Sequence, residues 1–391
     1  MKILICNVGS TSLKYRLFSM PEEAVLARGG AERVGQTESV FYTFDPETGE
    51  KSQYAAHFPT HLEAIREMLA ALCPAVLSSV QEIDCVGFKV VHARGVTGTQ
   101  YLTDDVLAAM EAFNSVAPAH NPPYLAAIRL FREAMPETPL IGAFETAFHA
   151  EMPPEASLYS IPIELSRKYD IRRYGFHGAS HEYLSRFAIG KLGKEETKII
   201  SCHLGGSGSI CAVKNGKSID TSMGLSLQCG VMHNNRCGDI DPYIVFYLTE
   251  ACGMTPAEVR TILETKSGLL GMSGVSGDLR DVEEAADAGN RDAETAIRAY
   301  AYSVRRYLGA YTAALGGLDA VVFGGGIGTN SPRVRRLALE GLECLGIRLD
   351  PERNEKGCED ISVQGSAVRI FLTETDEELI VARKAAELMK G

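Results

Sequence analysis

Apolar residues fall along the chain in two patterns: short runs bounded by glycine or polar residues, and longer stretches at helical spacing. The runs ILIC at 3–6, CVGFKVV at 85–91, KIISCHL at 198–204 and DAVVFGG at 319–325 read as strands, and the periodic stretches between them predict helices and an α/β class. Over 295–311, Ile297, Tyr300, Ala301, Val304, Leu308 and Tyr311 follow the three-four spacing of one helix face. TDEE at 375–378 predicts a capping box, with Thr375 accepting from a free backbone N–H and Glu378 reaching back. The helix it opens has Leu379, Ala382, Ala386 and Met389 as its expected apolar side.

A weak internal repeat adds to this. ILICNVGSTSLKYRLF (3–18) aligns with IISCHLGGSGSICAVK (199–214), pairing Cys6 with Cys202, Asn7 with His203, Gly9 with Gly205 and Thr11 with Ser207. Each copy is an apolar strand, a polar residue, a Gly-rich turn and a second strand. Such turns leave backbone N–H groups clear of side chains, so two copies could hold a polyphosphate. Two ordinary hairpins would give the same pattern.

The 391 residues carry 39 Lys and Arg against 50 Asp and Glu, a formal charge of −11, which disfavours a nucleic-acid surface. With 45% hydrophobic and 23% charged residues the composition is that of an ordinary soluble protein of two or three domains. The ten cysteines are scattered without a C-x-x-C pair, which excludes the usual zinc spacings and suggests thiols in a reducing cytoplasm. MKILICNVGS lacks the apolar core of a secretion signal, and no stretch approaches the ~18 apolar residues that span a bilayer.

Several polar clusters stand out. RRYGFHGASHEY (172–183) packs Arg172, Arg173, His177 and His181 around Gly175 and Gly178, and a histidine there could donate to a transferring phosphoryl group. NNRCGDIDP (234–242) places Arg236 near Asp239 and Asp241, either as a fork for an anion or as a salt-bridged loop turn. FGGGIGTNSPRVR (323–335) reads as a Gly-rich turn after a strand, then an N-cap at Asn330 or Ser331 with Pro332 first in the helix. Neither standard nucleotide fingerprint is present. On the residues alone, the reading stops at a two-lobed, nucleotide-dependent phosphotransfer enzyme.

The chain resembles the acetate kinase family over nearly its whole length. The blocks NVGSTSLKY, VGFKVVH, APAHNPP, FETAFHAEMP, RRYGFHGASHEY, HLGGSGS, KNGKSIDTSMG, RCGDIDP, SGLLGMSGVSGDLRDV, GGGIGTNS and TDEELIVAR occur in family order. The resemblance implies two related ribonuclease H-like (actin-like ATPase) lobes with a nucleotide cleft between them. The first would comprise 1–147 plus 377–391 and bind the acceptor; the second, 148–376, would bind nucleotide. It implies reversible, direct transfer of the ATP γ-phosphoryl group to a short-chain carboxylate, with Mg²⁺ (or Mn²⁺), in a cytoplasmic homodimer with no membrane or nucleic-acid partner. Asn7 and Glu377 would place the metal, and Lys14, His203, Leu204, Gly205, Gly206, Ser207, Asp278, Leu279, Arg280, Gly326, Ile327, Gly328, Thr329 and Asn330 would bind ATP. Glu145, His177, Arg236 and Lys89 would be catalytic, and Lys89, Val91, His120, Phe176 and Arg94 would line the acceptor site. His181 is expected to be structural, whereas Asn7, Lys14, Lys89, Glu145, His177, Arg236 and Glu377 are expected to converge on one cleft.

The chain departs from the family pattern in the same blocks. Lys89 stands for the carboxylate-binding Arg, Glu145 for the catalytic Asp, Gly206 for the Asn of H-L-G-N-G, and Thr329 for the Glu of G-I-G-E-N; M-G-T-R is His233-Asn234-Asn235-Arg236. Charge signs are kept while reach changes, and Arg94, where the family has Gly, could supply the missing guanidinium fork. Ala119 replaces a family Leu and Leu227 a family Pro, so one pocket wall gains room while another fills. Two alternatives to a carboxylate kinase follow: a nucleotide-binding paralogue acting as a sensor or partner, and a pyrophosphate-dependent acyl kinase.

Overall fold

A computed structural model describes residues 1–391 except Ser10 and Ala119, so the reading of Ala119 lies outside the described residues. The chain divides into two compact units, 1–150 with 376–391, and 151–375.

In the first unit, β1 (Lys2–Gly9), β2 (Ser12–Ser19), β3 (Ala24–Glu32), β4 (Ser39–Phe44), β5 (Lys51–Ala56), β6 (Cys85–Val90), β7 (Thr99–Tyr101) and β8 (Leu140–Phe144) form one sheet in the order β5-β4-β3-β2-β1-β6-β8-β7. The β1–β2 hairpin is antiparallel with Asn7 opposite Lys14, whereas β6 runs parallel to β1 and β8 parallel to β6. His61 fixes the hairpin bend, its Nε2 lying 3.0 Å from the Gly9 carbonyl and 3.3 Å from that of Ser12. The chain returns at its end as the helix Glu377–Lys390, which packs Val381, Ala382, Ala385 and Ala386 against Ile3, Ile5, Cys85 and Ile141.

That helix corrects two expectations. Its N-cap is Asp376, whose short carboxylate accepts from the Leu379 N–H at 3.0 Å, and Glu378 lies 2.8 Å from Arg16 Nε, so there is no capping box at Thr375. The buried face is centred on Ile380, Val381, Ala382, Ala385 and Ala386, with Leu379 and Met389 only packed at its edge.

In the second unit, β9 (Lys198–Leu204), β10 (Gly208–Lys214), β11 (Lys217–Thr221), β12 (Ala320–Gly324) and β13 (Arg369–Leu372) form a sheet in the order β11-β10-β9-β12-β13. Again the hairpin is antiparallel and the next two neighbours parallel. The order thus repeats β3-β2-β1-β6-β8 of the first unit, and the two aligned segments are the corresponding hairpins. The helix Arg291–Leu315 covers this sheet, burying all six residues of the expected face; Asn290 caps it by accepting from the Asp292 and Ala293 N–H groups. These sheets and helices are the expected α/β class.

The segment after β12 differs from its reading as a turn. Gly325–Asn330 is itself a short helix, followed by Pro332–Leu339 capped by Ser331 rather than Asn330. Gly325 allows it, since its φ is +77° and a Cβ there would meet the Leu204 carbonyl oxygen at 2.6 Å.

Candidate functional site

The first unit gathers its chemistry at the carboxyl ends of its parallel strands, where open α/β sheets place their ligands. Asn7 is near the end of β1, Lys89 near the end of β6, and Glu145 directly follows β8. Lys89 Nζ donates to Glu377 Oε2 at 2.5 Å and lies 3.1 Å from Glu145 Oε1. Burial works against charge on this lysine, but Glu145 and Glu377 outweigh it and hold the ammonium well above its ordinary pKa. The helix Asn121–Ala134 contributes Tyr124, whose hydroxyl donates to Asn7 Oδ1 at 2.9 Å; burial pushes this phenol up to about 12, against the opposing pull of Lys89. One cation among two carboxylates, an oriented amide and a neutral phenol leaves a cluster of net negative charge with hard oxygen donors, which suits a hard cation.

In the second unit, the helix Gly178–Leu192 stands against β9 and β10. His177 precedes it with φ +57°, a left-handed conformation that costs a non-glycine residue about 1 kcal/mol or more and is found where function holds it. Its Nδ1 is 2.8 Å from Ser209 Oγ, and the same oxygen is 2.7 Å from His181 Nε2, whose Nδ1 meets Ser201 Oγ at 2.5 Å. The His177 and His203 rings stack with centroids 4.2 Å apart, and His203 Nδ1 bonds Ser180 Oγ at 2.7 Å. A hydroxyl has one proton, so Ser209 accepts from at least one of the two rings. The ring nitrogens of His177 are therefore not independent of His181.

Arg236 is half-buried, and its Nη1 donates to the Leu227 carbonyl at 2.5 Å; desolvation lowers its pKa. The loop turn expected around it is built otherwise: Asp239 accepts from the Gly230 N–H and the Tyr307 hydroxyl, and Asp241 from the Tyr243 N–H. Arg173 binds backbone, donating to the Thr221 and Ser222 carbonyls at 3.0 and 3.1 Å.

Beside the β9–β10 turn lies a cavity of about 500 Å³. Gly205, Gly206, Asp278, Leu279, Arg280, Gly326, Ile327 and Asn330 line it, all expected for ATP. Asn234, Gly277, Glu283 and Ser331 also line it and were not expected. Asp278 accepts from Arg280 side-chain and backbone N–H groups, which lowers its carboxyl to about 2. The cavity's shape, a glycine turn at one side and an Asp–Arg pair at another, suits a nucleotide.

Comparison with known proteins agrees with this geometry. The family described as the acetokinase family matches residues 2–383. The chain belongs to that family. Over its full length it is 45% identical to an acetate kinase of Methanosarcina thermophila, covering 97% of that protein. A crystal structure of Porphyromonas gingivalis acetate kinase superposes with a TM-score of 0.89 at 38% identity, and a propionate kinase from Francisella tularensis with 0.90 at 33%. The first comparison covers 99% of each chain and the second 98% of each.

The other family-implied positions are placed as follows. Lys14 is exposed on β2 opposite Asn7, and His120 stands at the N-cap of the helix Asn121–Ala134. Val91, Phe176 and Leu204 are buried, Leu204 within the second unit's apolar core. Ser207 Oγ is buried without a partner among the described residues, and Thr329 Oγ donates to the Gly325 carbonyl. Arg94 is exposed and its backbone N–H bonds the Ala109 carbonyl; the carboxylate partners of Lys89 are Glu145 and Glu377. Tyr124 and Ser209 lay outside the expected set. A signal for Ser209 exists in the sequence, since Ser201, His203 and Ser209 interrupt otherwise apolar strands opposite His177, Ser180 and His181.

Proposed function

We propose that the chain is an acetate kinase that moves the γ-phosphoryl group of ATP reversibly to the carboxylate of acetate or a close relative, giving the acyl phosphate and ADP. The observation that carries this is the match to acetate kinases over the whole chain, and a nucleotide-sized cavity and a lysine–carboxylate cluster at positions the resemblance implies support it. In direct transfer a carboxylate oxygen attacks the γ-phosphorus as the bond to the β-phosphate oxygen breaks. The charge spreads over the three equatorial oxygens, so positioned donors supply most of the catalysis.

The cavity at Gly205, Gly206, Asp278 and Arg280 holds the nucleotide, and its volume favours ATP over pyrophosphate as donor. His177 and Arg236 donate to the transferring group, and Lys89, steadied by Glu145, pairs with the acceptor carboxylate. The donor set fits Mg²⁺: Asn7 Oδ1, oriented by Tyr124, and the Glu377 carboxylate are hard oxygens, and this ion commonly takes one or two carboxylates with phosphates and water completing its shell. When bound, such an ion would neutralise charge on the phosphates. Exposed Tyr243, Phe246 and Tyr247 on consecutive helical turns support a homodimer, and ten free thiols support the cytoplasm. Among the described residues no helix is long and apolar enough to cross a membrane.

Hydroxylamine trapping of acyl phosphate, with ATP, Mg²⁺ and a series of acetate, propionate and butyrate, tests the reading. Acetate or propionate should give product, chelation of divalent ions should stop it, and Lys89→Ala should lower turnover by about 10² or more. Lys89→Arg should keep activity if the lysine is a retuned family arginine. Binding of ATP without transfer to any carboxylate would sink the proposal.

A further inference from the structure

We infer that Asn234 is a nucleotide-phosphate ligand that supplies, from a different loop, the side-chain amide missing at Gly206. The inference rests on the proposed ATP site only for the identity of the ligand. Asn234 lines the cavity beside Gly205 and Gly206. A Cβ built on Gly206 would come 3.2 Å from Asn234 Nδ2 and 3.6 Å from its Cγ, so the Asn234 amide occupies the space a side chain at 206 would enter. Position 206 is exposed with φ outside the left-handed region, and nothing in its backbone demands glycine. The neighbouring amide crowds a side chain there, and would have to give way by a few tenths of an ångström to admit one.

That amide is held firmly. The Asn234 N–H donates to the Gly206 carbonyl at 3.0 Å, which ties the two loops at these two residues. The carbonyls of His233, Asn234 and Asn235 accept in turn from the N–H groups of Leu269, Leu270 and Ser267 at 2.8–3.0 Å. Asn234 Oδ1 accepts from the Asn235 N–H at 2.9 Å, and Nδ2 is the end beside Gly206. Nδ2 has no hydrogen-bond partner among the described residues. An amide N–H₂ that is fixed, directed into a cavity and not used by the protein is a preorganised donor for an anionic oxygen. The glycine turn beside it lets a phosphate approach closely. Asp278 on the same cavity is already paired with the Arg280 guanidinium, so the donors left for a phosphate beside the glycine turn include the unused Asn234 amide.

The test is a cycle of Asn234→Gly, Gly206→Asn and the double variant in the full chain, read by calorimetric binding of ADP and, separately, of adenosine. Asn234→Gly should weaken ADP roughly 10-fold or more, the usual worth of a hydrogen bond to a charged group, and leave adenosine within about 2-fold. Gly206→Asn should not improve on the parent, because two amides compete for one space. The double variant should regain most of the lost ADP affinity, giving a strong non-additive coupling. Asn234→Ala, which keeps a Cβ, serves in place of Asn234→Gly if that variant does not fold. Equal loss of ADP and adenosine, unchanged ADP binding, or additive effects in the double variant would each overturn the inference. A protein that phosphorylates no carboxylate yet shows this cycle would refute the acetate kinase reading and leave the role of Asn234 standing.

Discussion

The imidazole of His233 is fully buried, and its Nδ1 accepts from the Gly208 N–H at 3.1 Å. Burial first, and the Arg236 charge second, depress its pKa to about 3, so the ring is neutral in the folded protein at any ordinary pH. In the unfolded chain it titrates near 6.5. Between the two values the unfolded state binds the extra proton. Stability from this ring is therefore complete above about pH 6.5 and declines toward pH 3, by up to about 1.4 kcal/mol per pH unit. His233→Asn keeps an acceptor for Gly208 and cannot titrate. Its urea-unfolding free energy should fall less steeply between pH 6.5 and 4 than that of the parent, and parallel curves would exclude the ring as the cause. The departure from the family pattern at 233–235 is plain in the sequence, but not that one alteration makes a buried neutral acceptor and the next an amide beside Gly206. Such a pairing is set by the fold.

At the scale of elements, the helix Gly178–Leu192 and the β9–β10 hairpin share a hydrogen-bonded chain running Ser201, His181, Ser209, His177. Helical spacing puts His177 and His181 one turn apart, and strand alternation puts Ser201 and His203 on one face with Ser209 opposite His203. His177 as a candidate and His181 as structural could be reasoned from residue type and the family blocks. The serine between them left a signal, as a polar residue in an apolar strand, but its pairing with both rings becomes visible only when the register of the hairpin is known. Ser209→Ala removes the partner that couples the two rings. Turnover should drop by about 10-fold while the KM values for acetate and ATP stay within about 2-fold, since geometry and binding are kept and only proton placement is lost. The ¹⁵N shifts of the His177 ring should move toward a tautomer mixture. A variant with parental turnover and unchanged shifts would reduce the chain to packing.

Over the whole molecule, one strand order occurs twice, and in both units polar groups gather where the parallel strands end. The repeat was readable from two hairpins, and the α/β class from alternating runs. The buried face of the last helix was not, because its alanines and Ile380–Val381 satisfy two adjacent stripes equally well. What selects the stripe is a glycine on another element: a Cβ at Gly87 would come 2.6 Å from Ile5 Cδ1 and 3.3 Å from Val381 Cγ1, so the helix settles where β6 is narrowest. Ion pairs also join this helix to the sheet, Arg383 meeting Glu23 at 2.6 and 2.8 Å and Arg16 meeting Asp376 at 2.9 Å. The Arg383–Glu23 pair is about one-third exposed, and such pairs contribute at most ~1 kcal/mol, whereas deleting buried methyl groups at a fully enclosed valine costs about 2 kcal/mol. Val381→Ala should therefore lower the melting temperature by more than Glu23→Gln does, in low and in high salt alike, with the Glu23 effect shrinking as salt rises. A larger loss from Glu23→Gln would mean that charge, rather than the apolar seam on β1 and β6, is what brings the end of the chain back to its beginning.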